Sequence, residues 1–391
     1  MNRDLWDLPR NSSMKRESVI TNTPFACLQI AAKELTLGKA KDKNFVFSPY
    51  SIQLALGLAA NGAKGLTREE FLTFLNAETL DDLNPRNKDL IDYFNNGSNL
   101  SYISGIWVNQ SSDLKPTFKQ IAENIYEAKA ESVDLQDEMK CKEVIDRVNE
   151  WGKEATNGLI KSFLPEDSLT PATIVVLANA LYFKGRWLSK FNKPLTKENK
   201  FNLLNGRFIK VPFMTSYSDQ YITTLEDSKI LRLPLMNSAS ISMYIILPNK
   251  LDGLWPLLEK VASDPKFLER YVLKETGMVE VRRFGVPKFK ITYDFVANEV
   301  LKALGLREAF SKQAGFDEIV LDSNNLKIST VRHKSHIEVN EEEIEAAAVT
   351  EIDFEEECSE YIPQVDFWAD HPFMFMVRDD MRGVVLFMGH I

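Results

Sequence analysis

The side chains best suited to acid–base or metal chemistry are the histidines, and all four, His333, His336, His371 and His390, fall near the end of the chain. A serine nucleophile needs exposure on a sharp turn, as in G-x-S-x-G, and no such motif occurs. Asp370-His371-Pro372 sets an acid beside a histidine. Neighbouring side chains of an extended chain point to opposite faces, so no relay pair is expected there. His333 and His336 lie three apart without a third ligand nearby, and in a strand they too would face opposite sides. Gly62-Ala63-Lys64-Gly65-Leu66-Thr67 has the residue types of a phosphate loop but not its spacing. No glycine-rich dinucleotide fingerprint follows a candidate strand. The expectation is a non-enzyme: no catalytic residue, no metal, no cofactor.

The elements that must carry these side chains are mixed. From Pro24 to Leu35, Phe25, Leu28, Ala32 and Leu35 recur at helical spacing. Asn44 to Pro49 reads as a short buried strand ended by proline, and Ser51 to Ala60 as an apolar helix. Thr67 and Glu70 have the spacing of a capping box. Thr173 to Phe183 and Ser240 to Leu247 are nearly continuous apolar runs, as expected of strands covered on both faces. The C-terminal runs PFMFMV and GVVLFMG look alike, with a hairpin turn expected at 379–383. Helices are expected over Cys141 to Trp151 and Phe295 to Leu304. With no internal repeat and no Pro/Gly linker, one large α+β domain is expected over 25–391, after a flexible extension at 1–24.

Composition narrows the class. The 391 residues are 44% hydrophobic and 26% charged, an ordinary globular mix. A net charge of −9 argues against a nucleic-acid partner, which needs a basic face. No apolar run reaches the ~18 residues of a membrane helix. Cys27, Cys141 and Cys358 are odd in number and widely spaced, so no disulfide framework follows, and Cys27 and Cys141 are expected in the core as free thiols. With no apolar segment in the polar N-terminus, a cytoplasmic or nucleocytoplasmic protein is expected.

Asn340 to Gln364 departs from this pattern. Nine of its 25 residues are glutamate, and strongly apolar strands follow at once. Alone it reads as an acidic surface loop or short helix. Six ordered motifs change that reading: Asn44–Ile52 (NFVFSPYSI), Thr156–Ile160 (TNGLI), Ala178–Gly185 (ANALYFKG), Val211–Met214 (VPFM), His333–Glu342 (HKSHIEVNEE) and Ala369–Phe373 (ADHPF). Together they resemble the serpin (serine protease inhibitor) superfamily, its plant branch in particular, from about Pro24 to the C-terminus. The resemblance implies three β-sheets, eight or nine helices and an exposed reactive-centre loop, here 341–364. A serine or cysteine endopeptidase attacks such a loop and is held as an acyl complex when the cut loop enters the central sheet. The partner implied is that protease, met by a monomer; members of the family also commonly act outside cells.

The same resemblance implies roles residue by residue. Ser48, Ser51, Asn179 and His333 match the polar cluster under the central sheet, the shutter. Trp187, Lys288 and Glu341 match the breach, where insertion begins; a Lys288–Glu341 pair in solvent would contribute only ~0–1 kcal/mol. The hinge runs Glu341, Glu342, Glu343, Ile344, Glu345, Ala346, Ala347, Ala348, Val349, Thr350. Its alanines agree with inhibitory members, whereas Glu343 replaces a glycine and Ile344 a threonine or serine. Loop length puts the scissile bond at Glu357-Cys358.

The loop itself carries a further signal. Period-two alternation puts Ile344, Ala346, Ala348, Thr350, Ile352, Phe354 and Glu356 on one face. The other face holds Glu343, Glu345, Ala347, Val349, Glu351, Asp353 and Glu355. A merely solvated loop has no reason to sort charges by parity; a segment that enters a sheet does. Glu343 removes a glycine's backbone freedom at the hinge. Slow insertion would let the acyl-enzyme hydrolyse, so the alternative expectation is a non-inhibitory serpin that binds or stores.

Overall fold

The computed structural model describes residues 23–36, 40, 43–95, 100–109, 113–155, 158, 162–183, 185–236, 240–272, 277–321, 326–341 and 365–391. The hinge after Glu341, the Glu357-Cys358 bond, the TNGLI motif except Gly158, and residues 1–22 of the extension lie outside them. Thr23 and Pro24, assigned by sequence to the extension, are buried, and the Thr23 hydroxyl accepts the Val385 amide at 2.7 Å.

Three sheets carry the α+β fold. The five-stranded sheet runs β12 (Phe289–Val296), β13 (Ile328–Val339), β4 (Val175–Phe183), β2 (Leu100–Asn109), β3 (Lys129–Val133). The seven-stranded sheet runs β1 (Phe45–Phe47), β16 (Val384–His390), β15 (Met374–Asp379), β9 (Ile241–Pro248), β8 (Ser228–Pro234), β7 (Gln220–Thr224), β10 (Met278–Val279). The four-stranded sheet runs β14 (Val365–Trp368), β11 (Val281–Pro287), β6 (Phe208–Met214), β5 (Lys197–Asn202). Among the described residues there are nine α-helices: α1 (Phe25–Leu28), α2 (Ile30–Thr36), α3 (Pro49–Gly62), α4 (Gly65–Phe74), α5 (Leu80–Asn95), α6 (Pro116–Asn124), α7 (Glu138–Ala155), α8 (Leu254–Ser263) and α9 (Asn298–Ala303).

Helix α3 is buried along its whole length and lies against both β4 and β16. Its all-round apolar sequence suits that place between two sheets. It starts where Ser48, in extended conformation, accepts the Ser51 amide at 3.0 Å, and Pro49 takes the first helical position. On the opposite face of the five-stranded sheet, Val176, Ala178 and Ala180 of β4 pack under α7 with Trp107 and Val148. Strand β4 is thus covered on both sides, which is why its sequence reads as one apolar run.

Three local expectations need correction. Thr67 and Glu70 do not cap a helix, because α4 has already begun at Gly65. The Thr67 hydroxyl accepts the Gly315 amide and the Glu70 carboxylate accepts those of Arg307 and Glu308, so both tie a distant loop to α4. Helix α9 begins at Asn298; Phe295 belongs to β12, where its ring meets His333 edge-on at 5.7 Å. Asp370 and His371 do touch: the Asp370 Oδ1 lies 2.9 Å from the His371 Nδ1. The chain bends there instead of running extended. The ring's Nε2 donates to the Pro248 carbonyl at 2.7 Å, so the pair serves packing between loops and aims at no nucleophile.

Candidate functional site at the parallel strand pair

Strands β4 and β13 lie side by side and parallel, with His333 opposite Asn179 and Arg332 opposite Ala178. Their outer neighbours, β2 and β12, are antiparallel to them. Beneath this pair Ser48, Ser51, Asn179 and His333, all essentially without solvent exposure, come together from β1's end, α3, β4 and β13. The Ser51 hydroxyl donates to Asn179 Oδ1 at 2.6 Å. The Ser48 amide donates to His333 Nε2 at 2.9 Å.

That amide fixes the imidazole's tautomer. Nε2 must accept, so Nδ1 carries the proton and donates to Asn179 Oδ1 at 2.6 Å. The Ser335 hydroxyl, 2.7 Å from Nε2, donates to the same lone-pair side. Burial drives the His333 pKa down to about 3. Ser335 escaped the sequence reading, although a signal was there: it stands two residues from His333 on the inward face of an alternating strand. The Asn179 amide completes the network by donating to the Arg332 carbonyl at 3.3 Å.

A second group of side chains gathers where β13 ends. The Trp187 indole donates to the Asn340 carbonyl at 2.8 Å. Its ring meets Phe191 edge-on at 5.8 Å, and Phe191 stacks on Phe284 at 6.0 Å. One residue on, Glu341 pairs with Lys288 at 2.7 Å. The pair is not a merely solvated contact: the Glu341 side chain is only 5% exposed, against 34% for Lys288. Burial opposes the glutamate's charge, yet the Lys288 ammonium holds the carboxyl below its ordinary pKa. The nearby Lys290–Glu338 pair, at 2.8 Å, is open to solvent on both sides. Asn340 is the other member that sequence reasoning missed; its contribution is a backbone carbonyl, which no residue type announces.

All the described candidates thus fall into two groups on one strand pair, the buried network under its middle and the tryptophan and ion pair at its end. The two described cysteines behave as expected: Cys27 and Cys141 are buried free thiols, and burial raises both pKa values. No described helix is long and apolar enough to cross a membrane. Among the described residues no group of His, Cys, Asp and Glu is placed to hold a metal.

Comparison with known proteins agrees with this geometry. The family profile described as serpin (serine protease inhibitor) matches residues 26–391. Serpin-Z10 of Arabidopsis thaliana is 43% identical over 360 residues, covering 90% of this chain and 92% of that protein. Serpin-ZXA of Oryza sativa subsp. japonica is 40% identical over 390 residues, covering 96% and 97%. The solved native stressed conformation of Arabidopsis AtSerpin1 superposes with a TM-score of 0.85 at 38% identity, covering 96% of this chain and 97% of that one.

Proposed function

The chain belongs to the serpin family, and from that premise we propose that it traps a serine or cysteine endopeptidase as a covalent acyl complex, after cleavage near Glu357-Cys358 and insertion of the cut loop between β4 and β13. Protease inhibition in general is what the family and its plant relatives stand for. The observation that carries the finer reading is the parallel pairing of β4 and β13. A chain that turns back after Glu341 runs antiparallel to β13, and therefore to β4 as well. Insertion replaces one parallel interface by two antiparallel ones, which are slightly the more stable per residue. The native state is then a kinetically held one whose strain is released on cleavage.

Charge supports the same placement. On β13 residues 331, 333, 335, 337 and 339 point inward, leaving Arg332 and Lys334 on the outer face together with His336 and with Glu338, which is already paired to Lys290. The acidic parity set of the loop, from Glu343 to Glu355, would share that face with them. The network of Ser48, Ser51, Asn179 and His333 acts in this reading as the shutter over which the strands part. Trp187, Lys288 and Glu341 hold the breach, the point at which the hinge, Glu341 to Thr350, first enters. Residues 25–391 form one serpin domain, acting as a monomer in the cytoplasm or nucleocytoplasm.

The test is incubation with a panel of serine and cysteine endopeptidases, including enzymes that prefer Glu or Asp. A complex that survives boiling in detergent is expected. Mass spectrometry of the released C-terminal peptide should find its start at Cys358 or within about two residues of it. Cleavage without any stable complex would replace this reading by the non-inhibitory one, and cleavage outside 353–361 would refute the assigned bond.

A further inference from the structure

Tyr217, on the connection from β6 to β7, is 85% exposed, more than any other large apolar residue among those described. Leu188, the neighbour of Trp187, is 56% exposed. A single exposed leucine is ordinary on a protein surface. An aromatic ring held almost wholly in water on a braced turn is not. The Ser218 amide donates to the Ser216 hydroxyl at 3.1 Å, and the Gln220 side-chain amide donates to the Ser218 carbonyl at 2.8 Å. The backbone around Tyr217 is therefore pinned on its C-terminal side, and little of its freedom is left to lose on binding.

The place of this turn in the fold says what it would meet. The Thr215 hydroxyl donates to the Phe284 carbonyl at 2.8 Å. Phe284 stands opposite Phe367 in the parallel pairing of β11 with β14, two residues past Val365. Phe284 also stacks on Phe191, whose ring meets that of Trp187. The Asn192 amide donates to the Thr215 carbonyl at 3.2 Å and so joins the two connections. Trp187 in turn holds the Asn340 carbonyl beside Glu341. Tyr217 and Leu188 thus flank the ground between Glu341 and Val365, the residues from which the loop 342–364 departs and to which it returns.

We propose that Tyr217, with Leu188 beside it, is a contact surface for the attacking endopeptidase outside the loop itself, fitted to an enzyme whose rim beside the substrate cleft is apolar. Taking the attacked bond to lie in the loop is the part that rests on the inhibitory reading above. Glu357 is eight residues from Val365, a reach of at most about 28 Å of extended chain. An enzyme domain is itself about 30 Å or more across. An enzyme seated on that bond brings its flank against this ground. Tyrosine is the residue type that such contacts favour, because it offers a large stiff surface for little loss of rotamer freedom. Selection among proteases then depends on the body of the protein as well as on the residues beside the bond.

The experiment measures the second-order rate at which the loop of the intact protein is cut, using each enzyme of the panel that cleaves between 353 and 361, a Glu-specific endopeptidase first. Tyr217→Ser should slow the fastest of them about tenfold, the effect of one aromatic anchor, and Leu188→Ser several-fold. Tyr217→Phe should stay within about twofold of the unaltered protein, since the ring carries the contact. Leu66→Ser, at a comparably exposed leucine on α4, should leave the rate unchanged. Stoichiometry of inhibition, cleavage position and melting temperature should be the same in all four variants. A Tyr217→Ser rate within about twofold of the unaltered protein for every such enzyme, or an equal fall in Leu66→Ser, would overturn the contact. A changed stoichiometry or melting temperature would assign Tyr217 to the anchor at the end of β13 and overturn it as well. The rate is read from cleavage, so it is measurable whether or not a complex survives: loss of the complex strikes the inhibitory reading alone, and an unchanged rate strikes the contact alone.

Discussion

His333 accepts two hydrogen bonds at Nε2 and donates one from Nδ1, so a second proton on its ring would face the Ser48 amide head-on. Its pKa, driven by burial from 6.5 to about 3, makes stability depend on pH. Between those values the unfolded chain binds the proton and the folded chain does not, so stability rises with pH. The contribution is fully present above about pH 6.5 and is lost as the pH falls toward 3; it amounts to roughly 5 kcal/mol at most. Denaturant midpoints measured from pH 7 to pH 4 should therefore fall steeply, and less steeply in His333→Gln. Identical slopes would show that another group dominates. The two lysine pairs give a contrast at the same scale. Lys288→Ala strands a buried carboxylate and should cost ~1–3 kcal/mol. Lys290→Ala, in a solvated pair, should stay within ~0.5 kcal/mol. Urea unfolding of both variants reads the difference, and equal losses would mean that Glu341 is better solvated than its burial implies.

At the scale of the element, the parity of the loop predicts which positions tolerate charge once cleaved. Ala348→Glu, on the inward face, should remove most of the rise in melting temperature that follows cleavage near Glu357. Ala347→Glu, one residue away on the outward face, should leave most of it. Equal effects in calorimetry would refute the register. Elements of this kind were legible where packing leaves a strong residue pattern. Strand β4 was read correctly because α3 lies below it and α7 above, so its positions are apolar apart from Asn179. The short apolar run at Phe295 fits either period, and the antiparallel ladder that sets it opposite His333 of β13 makes it strand. Thr67 and Glu70 have the types of a capping box, but their partners lie far along the chain, beyond any local rule. The site followed from family motifs, since nothing in spacing joins Ser51 to Asn179, 128 positions on.

For the molecule as a whole, inhibition is a race between insertion and hydrolysis. Glu343→Gly with Ile344→Thr restores backbone freedom to the first residues that enter the sheet, and should raise the fraction of protease trapped over that turned over. A stoichiometry of inhibition that stays the same or worsens would show that the hinge is not limiting. The place of β15 and β16 has a different consequence, one for synthesis. They stand inside the seven-stranded sheet, with β1 beyond β16 and β9 beyond β15. A ribosome makes these strands after all the others of the sheet. Until they emerge, β1 lacks its ladder partner and β9 keeps an open apolar edge, the kind of edge that recruits foreign strands. The chain before Phe373 must therefore wait, exposed, for these two strands; a transcript stopped just before Phe373 should yield protein that only a chaperone can keep in solution.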